Sequence, residues 1–324
     1  MNIVFMGTPE FACPSLEALH AAGHRIVAVV TRQDKPSGRG RRILPTPVKT
    51  LAERLGLRIL QPARVNAEET VAQLRALEPR ALVVAAFGAI LKRPLLELAP
   101  LGAINLHASL LPAYRGVAPA QWSLIHGRHT TGVTTMRMDA GIDTGPILER
   151  RVLEVGPMET AGELLARLAE TGGGLIVETL RGLEEGRLRP VAQPEEGASY
   201  APRLEREHGH LDFSRTAAQV VDQFRGVTPA PGARVFLGED AILVGAVRSV
   251  AGEGGTPYTI LDVAHRHLRV AAAEGAVDLL VLRPPGKGDM EGAAFARGRG
   301  IQAGDRLTPP PVLPDLSPRV AVPQ

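Results

Sequence analysis

Residues 2–31 read NIVFMGTPEFACPSLEALHAAGHRIVAVVT, and they decide the architecture. Residues 2–6 are a short apolar strand, Gly7-Thr8-Pro9 is a turn, Pro14 to Ala22 is a helix closed by Gly23, and RIVAVVT is a second strand. Strand, helix and strand in this order predict a βαβ unit, and hence an α/β fold with a doubly wound, mostly parallel sheet. The turn after the first strand lacks the G-x-G-x-x-G spacing that lets a backbone approach a pyrophosphate, which argues against a nicotinamide or flavin dinucleotide.

The alternation continues downstream. A helix is expected from Thr46 as N-cap and Pro47 at its first position, with Val48, Leu51, Ala52 and Leu55 on one face and Gly56 at its end. A strand at 58–61 follows, then a helix that Asn66 and Glu69 open with capping-box spacing and Pro79 stops. RALVVAAFG (80–88) has no polar alternation and reads as a central strand buried on both faces, with a short helix near 94–98 after it. Beyond residue 116, APAQWSLIHG is a helix, TGVTTMRM and PILERRVLEV are strands, and helical patterns run between Thr160 and Arg187, with Thr160 and Glu163 again at capping-box spacing. These elements make a first domain over residues 1–189. Residues 190–208, rich in Pro, Glu, Arg and Gly, read as a linker. A helix near 216–224, the turn TPAPGA and short strands around 241–250, 257–263, 267–273 and 277–283 predict a small β-barrel over residues 209–306. Residues 307–324 hold six prolines in eighteen positions and are expected to be extended or disordered.

Composition narrows the classes of function. A chain of 324 residues can bury a large core in two domains. One cysteine, Cys13, excludes a disulfide framework and a cysteine-based zinc site, and fits a reducing, cytoplasmic compartment. No export signal is read at the start, and the longest nearly apolar run, 81–91, is too short to span a bilayer. The histidine pairs His20/His24, His208/His210 and His265/His267 lack a ligand set, so no metal is expected and they read as exposed surface. The net charge of +3 conceals an asymmetry: residues 1–60 hold nine Lys or Arg against four Asp or Glu, whereas residues 201–324 hold fourteen of each. Much of the N-terminal excess lies in RQDKPSGRGRRILP (32–45), a connection longer than α/β folds usually need. Such a loop could grip phosphates through Arg39, Arg41 and Arg42, or could be no more than a solvated loop.

The chemistry is written in AINLHASLLPAYRG (103–116). It begins as an apolar strand but places Asn105 and His107 at alternate positions, so both leave on one face. Asn is disfavoured in strands, and a buried amide and imidazole each need partners. Of the three asparagines, at 2, 66 and 105, only Asn105 sits in mid-strand with no capping or terminal role. The loop Asp139-Ala140-Gly141-Ile142-Asp143-Thr144-Gly145 offers two carboxylates, though turn chemistry alone would welcome both. If strands 103–107 and 132–138 are neighbours, that loop and the Asn105/His107 face meet at one end of the sheet. An amide that donates to a developing oxyanion, an imidazole that shuttles a proton and a carboxylate that orients it suit acyl-type transfer. No cysteine lies nearby and Ser109 lies beyond His107 on the loop, so direct attack by an amine on a bound acyl donor is simpler than a covalent acyl-enzyme.

NLHASLLPAYRG (105–116), APAQW (118–122) and MDAGIDTGPIL (138–148), in that order, resemble the folate-dependent formyltransferases, which include enzymes acting on glycinamide ribonucleotide, on an amino sugar nucleotide and on methionyl-tRNA. NIVFMGTPEFA, KPSGRGRRILPTPVK and YAPRL match the methionyl-tRNA branch. The resemblance implies a Rossmann-like formyltransferase domain followed by an OB-like barrel. It implies transfer of formyl from 10-formyltetrahydrofolate, a co-substrate, to the α-amino group of methionyl initiator tRNA through a tetrahedral intermediate. It further implies catalysis by Asn105, His107 and Asp143 rather than Asp139, with Asn105 and His107 stabilising the oxyanion. Folate would bind at Ser109, Leu110, Leu111 and Pro112, and tRNA at Lys35, Arg39, Arg41 and Arg42. A monomer is expected.

Where that branch often has an N-P-W-P-G turn, this chain has Thr228-Pro229-Ala230-Pro231-Gly232, without the aromatic and the amide. With no net charge after residue 200, the barrel is expected to grip tRNA modestly and the N-terminal loop to carry more. Two other functions share these features. A formyltransferase for a small amine, such as an amino sugar nucleotide, would use the same trio but need neither the basic loop nor the barrel. An RNA-binding protein on a retained fold would bind without consuming formyl donor.

Overall fold

The computed structural model describes residues 1–37, 42–252 and 254–320. Its opening is the expected βαβ unit: β1 (Asn2–Gly7), α1 (Cys13–Ala21) and β2 (Arg25–Val30), with β1 and β2 parallel. A hairpin of β3 (Lys35–Ser37) and β4 (Arg42–Leu44) follows. Thr46 then caps α2 (Pro47–Arg54) by accepting the Lys49 N–H at 3.1 Å, and Pro47 occupies a position where a missing N–H costs nothing. Next come β5 (Ile59–Leu60), α3 (Glu68–Arg75), β6 (Ala81–Ala85), α4 (Arg93–Leu96) and β7 (Ala103–His107). Asn66 does not cap α3, whose N-cap is Ala67. Its amide instead accepts the Lys92 N–H at 2.8 Å and donates to the Ile90 carbonyl at 2.9 Å. Donor and acceptor on one side chain suit it to a loop whose backbone groups have no ladder.

The first half ends with β8 (Arg115–Gly116), α5 (Pro119–Ile125), β9 (Thr130–Arg137), β10 (Ile147–Glu154) and α6 (Ala161–Glu184). Its seven-stranded sheet has the order β10-β9-β7-β6-β1-β2-β5, parallel from β7 to β5 and antiparallel at β9 and β10. Strand order reverses at β1 and β6, where a crevice opens at the carboxyl ends. The β3–β4 hairpin and the loop after β7 leave the sheet at that same end.

The register corrects the route by which the acidic loop arrives. β9 neighbours β7, but Ile104 pairs with Arg137 and His107 with Thr134. Residues 139–145 therefore leave the sheet at the amino end of β7, away from His107, and must fold back to reach it.

Helix α6 sets the face of β7. It opens with the Thr160/Glu163 capping box and carries three consecutive glycines at 172–174. A Cβ at Gly172 would lie 2.4 Å from Leu106 Cδ2, and one at Gly173 2.9 Å from the Pro14 carbonyl oxygen. Glycine costs a helix interior about 1 kcal/mol against alanine; here it permits close approach to β7 and α1. Ile104 and Leu106 pack into the α1–α6 core, so Asn105 and His107 point to the opposite face.

The second half contains β11 (Ser199–Ala201), α7 (Ala217–Val227), β12 (Arg234–Leu237), β13 (Asp240–Val250), β14 (Ile260–Ala264), β15 (His267–Ala271), β16 (Ala276–Arg283), β17 (Met290–Glu291) and α8 (Gly292–Arg299). The antiparallel order β12-β13-β16-β15-β14 is closed by bridges from Arg306 to Thr259 and from Thr308 to Phe236, which makes a small barrel. Its core is continuous with Tyr114, Trp122 and Ile125 of the first half, and the Trp122 indole donates to the Pro202 carbonyl at 2.7 Å.

As far as residue 320 the proline-rich tail is extended but docked. Leu307 and Leu316 are buried, and β18 (Arg319–Val320) pairs with β11, which in turn pairs with β8. Two histidines expected at the surface are also buried. His210 donates through Nδ1 to the Val312 carbonyl at 3.2 Å, and His267 Nε2 lies 3.2 Å from Asp262. Among the described residues no helix is long and apolar enough to cross a membrane.

Candidate active site

Asn105 and His107 are 8% and 5% exposed on the free face of β7. His107 Nε2 lies 2.8 Å from the Tyr114 carbonyl oxygen. A carbonyl can only accept, so Nε2 carries the hydrogen and donates. Nδ1 is therefore the nitrogen that gains and loses a proton, and it lies 3.6 Å from Asp143 Oδ2. The loop after β7 turns back at Tyr114, with φ +61°, to bring that carbonyl under the imidazole. Asn105, by contrast, makes no side-chain hydrogen bond among the described residues. The amide is not sealed off, so its N–H groups are free to donate to an acceptor bound on that face.

Asp143 has φ +53°, a conformation rare for a residue with a side chain. Its Oδ2 accepts the Gly116 N–H at 2.9 Å. Gly116, at φ +117°, packs so tightly that a Cβ would lie 2.7 Å from the Ala201 carbonyl oxygen. Asp139 instead closes its own turn, accepting the Gly141 N–H at 3.1 Å and the Thr144 hydroxyl at 2.8 Å. The two acids, alike in turn chemistry, are thus separated by geometry.

Sequence reasoning missed Gln193. Its amide donates to the carbonyls of Asp143 and Gly145, each at 2.7 Å, and accepts from Arg115 Nε at 3.0 Å. A single glutamine in a Pro- and Glu-rich stretch carries no local signal, and only the Val191–Ile147 bridge brings it alongside the loop.

In the 109–112 segment, Ser109 is occupied internally. Its hydroxyl donates to the Ala113 carbonyl at 2.6 Å, and its carbonyl accepts the Thr134 hydroxyl at 2.6 Å. Leu111 is buried and donates its N–H to Thr134 Oγ1 at 3.1 Å, while Leu110 and Pro112 are half-buried and retain open surface. In the basic connection, Lys35 is exposed on β3 and Arg42 lies on β4. Arg39 and Arg41 lie outside the described residues. The only acid of this connection, Asp34, is held by Lys49 at 2.5 Å and Gln61 at 2.7 Å, and these hydrogen bonds keep its carboxyl below the usual range. It anchors the hairpin base to α2.

The sequence pattern of the Formyl transferase family fits residues 1–180, and that of the formyl transferase C-terminal domain fits residues 203–300. The chain is 45% identical over 306 residues to the methionyl-tRNA formyltransferase of Pelobacter propionicus, covering 94% of this chain and 96% of that protein. It is 44% identical over 307 residues to the methionyl-tRNA formyltransferase of Geobacter sulfurreducens, covering 95% and 96%. The chain belongs to the methionyl-tRNA formyltransferase family.

Solved structures repeat the fold at greater distance. The N-formyltransferase from Helicobacter canadensis, in complex with folinic acid and dTDP-3-aminofucose, has a TM-score of 0.64 at 18% identity and covers 87% of this chain and 98% of that one. HypX from Aquifex aeolicus, in complex with tetrahydrofolic acid, has a TM-score of 0.60 at 16% identity and covers 96% of this chain and 51% of that one. At such identities the likeness speaks for the fold alone. Among the described residues no group of three or more His, Cys, Asp or Glu side chains is arranged to hold a metal ion.

Proposed function

We propose that this formyltransferase carries formyl from 10-formyltetrahydrofolate to the α-amino group of methionyl initiator tRNA with Asn105, His107 and Asp143. The observation that carries the reading is the approach of His107 Nδ1 to Asp143 at 3.6 Å on the strand face where the Asn105 amide lies unpartnered. The folate supplies an activated formyl group on N10. The methionyl amine attacks the formyl carbon, and the C=O electron pair moves to oxygen, where the Asn105 N–H groups stabilise it. The amine proton passes to His107 Nδ1, and the Asp143 carboxylate balances the imidazolium charge. Collapse breaks the bond to N10, which takes the proton from Nδ1. With Nε2–H engaged by Tyr114, His107 can donate to the oxyanion only once Nδ1 is protonated, so the first donation falls to Asn105.

Folate is assigned to the segment Ser109, Leu110, Leu111 and Pro112, with Leu110 and Pro112 offering the open apolar surface. Lys35, Arg39, Arg41 and Arg42 are assigned to the tRNA acceptor end, which the position of the β3–β4 hairpin at the carboxyl edge of the sheet supports. The protein is proposed to act in the cytoplasm as a monomer. The test is to incubate it with 10-formyltetrahydrofolate and either charged initiator tRNA or a dTDP-amino sugar. Formyl-methionyl-tRNA is expected; formylation of the amino sugar alone, or no donor consumption, overturns the reading.

A further inference from the structure

We infer that Gln193, in the segment between the two halves of the chain, is a positioning residue for Asp143. The inference rests on the catalytic reading above. The acidic loop starts at the wrong end of β7 and must be held back over the strand face, with Asp143 at φ +53°. A residue with a side chain at positive φ persists only where its surroundings over-determine it. Two constraints act on it. The Gly116 N–H holds the carboxylate at 2.9 Å. Gln193 holds the backbone, because both of its amide hydrogens are used, one on the Asp143 carbonyl and one on the Gly145 carbonyl.

The acceptor side of the same amide completes the clamp. Gln193 Oε1 takes the Nε–H of Arg115, which is buried and lies next to Gly116 in β8. The one side chain therefore ties the loop that carries Asp143 to the loop that supplies the Gly116 N–H and the Tyr114 carbonyl under His107. Gln193 itself is anchored two residues earlier, where Val191 and Ile147 exchange backbone hydrogen bonds at 2.8 Å in both directions. Without the amide, Asp143 loses its backbone restraint and its carboxylate drifts from His107 Nδ1. No group of Gln193 need touch either substrate.

The test compares Gln193→Ala, Gln193→Glu, Asp143→Asn and the double variant Gln193→Ala/Asp143→Asn in formylation of charged initiator tRNA, with melting curves for each. Glutamate retains the volume and the acceptor for Arg115 but turns a carboxylate toward two carbonyls, so it removes the restraint and spares the packing. Misplacement of a catalytic group by about 1 Å can cost up to roughly 100-fold. Both Gln193 variants should thus lose roughly 10- to 100-fold in kcat, with KM for both substrates changed less than about threefold. The double variant should be no more than about twofold slower than Asp143→Asn, since a restraint on an absent carboxylate has nothing to position. Full kcat in either Gln193 variant, losses that multiply in the double variant, or a rate loss that follows the unfolded fraction would overturn the assignment. If Asp143→Asn itself keeps full activity, the catalytic reading fails; if it does not and the Gln193 variants do, only this inference fails.

Discussion

The two ring nitrogens of His107 have different partners: Nε2 lies 2.8 Å from the Tyr114 carbonyl, and Nδ1 lies 3.6 Å from the Asp143 carboxylate. The first contact is a hydrogen bond and the second is longer than one. The imidazole is therefore fixed in tautomer and orientation by the backbone, with its basic nitrogen directed toward the acid.

On the proposed mechanism, replacing His107 by Ala removes the proton carrier, and replacing Asn105 by Ala removes the oxyanion donor. Each should lower kcat by roughly 100- to 1,000-fold. Single-turnover transfer from the formyl folate to charged tRNA measures this directly, and near-normal rates in both variants would rule out the mechanism.

Arg39→Ala should weaken use of tRNA while sparing donor binding. If Arg39 meets one phosphate, the slope of log affinity against log salt should flatten by about 0.7–0.9. Binding titrations between low and physiological salt provide the check; an unchanged slope would remove Arg39 from the phosphate contacts.

Asp278 has no exposed surface and is paired with Arg248 at 2.6 Å and Arg269 at 2.7 Å. Burial alone would raise its carboxyl, but the hydrogen bonds from Arg269 and Arg248 outweigh it and hold the group below the usual carboxylate range. A carboxyl so depressed contributes stability that is complete above its unfolded value, near 4, and is lost as pH falls through the lower folded value. Asp278→Asn should thus cost about 3 kcal/mol at pH 7 and progressively less as the pH approaches 3. Urea melts of both proteins across that range test it; a gap independent of pH would mean the loss is one of packing.

Cys13 should be a poor nucleophile. Burial, helped by Glu10 and Glu17, pushes its thiol up to about 11, so the thiolate that reacts is scarce at neutral pH. Alkylation by iodoacetamide at pH 7.5 should lag well behind a free thiol and accelerate only at strongly alkaline pH; labelling as fast as glutathione would contradict this environment.

Much of the architecture was legible because it depends on neighbours in sequence. The βαβ opening, the Thr46 and Thr160 caps and the unbroken apolar run of β6 follow from periodicity and turn chemistry within a few residues. Asn66 shows the limit. Its spacing to Glu69 suits a cap, yet its amide pairs with Ile90 and Lys92, 24 and 26 residues away. The docked tail shows it again, since six prolines in eighteen residues say nothing of what Leu316 packs against.

By itself the sequence determined that an amide and an imidazole share one face of a strand, because the side chains of a strand alternate whatever surrounds it. It also placed two carboxylates in one loop, but residue chemistry could not tell them apart. Family resemblance pointed to Asp143, but only the tertiary structure shows how it comes to face the imidazole, since β9 runs antiparallel to β7 and the loop must fold back along the strand. Only it brought Gln193 to that loop, fifty residues along the chain from Asp143. Alternation is a property of consecutive residues, whereas register and fold-back are set by packing between segments that are remote in sequence.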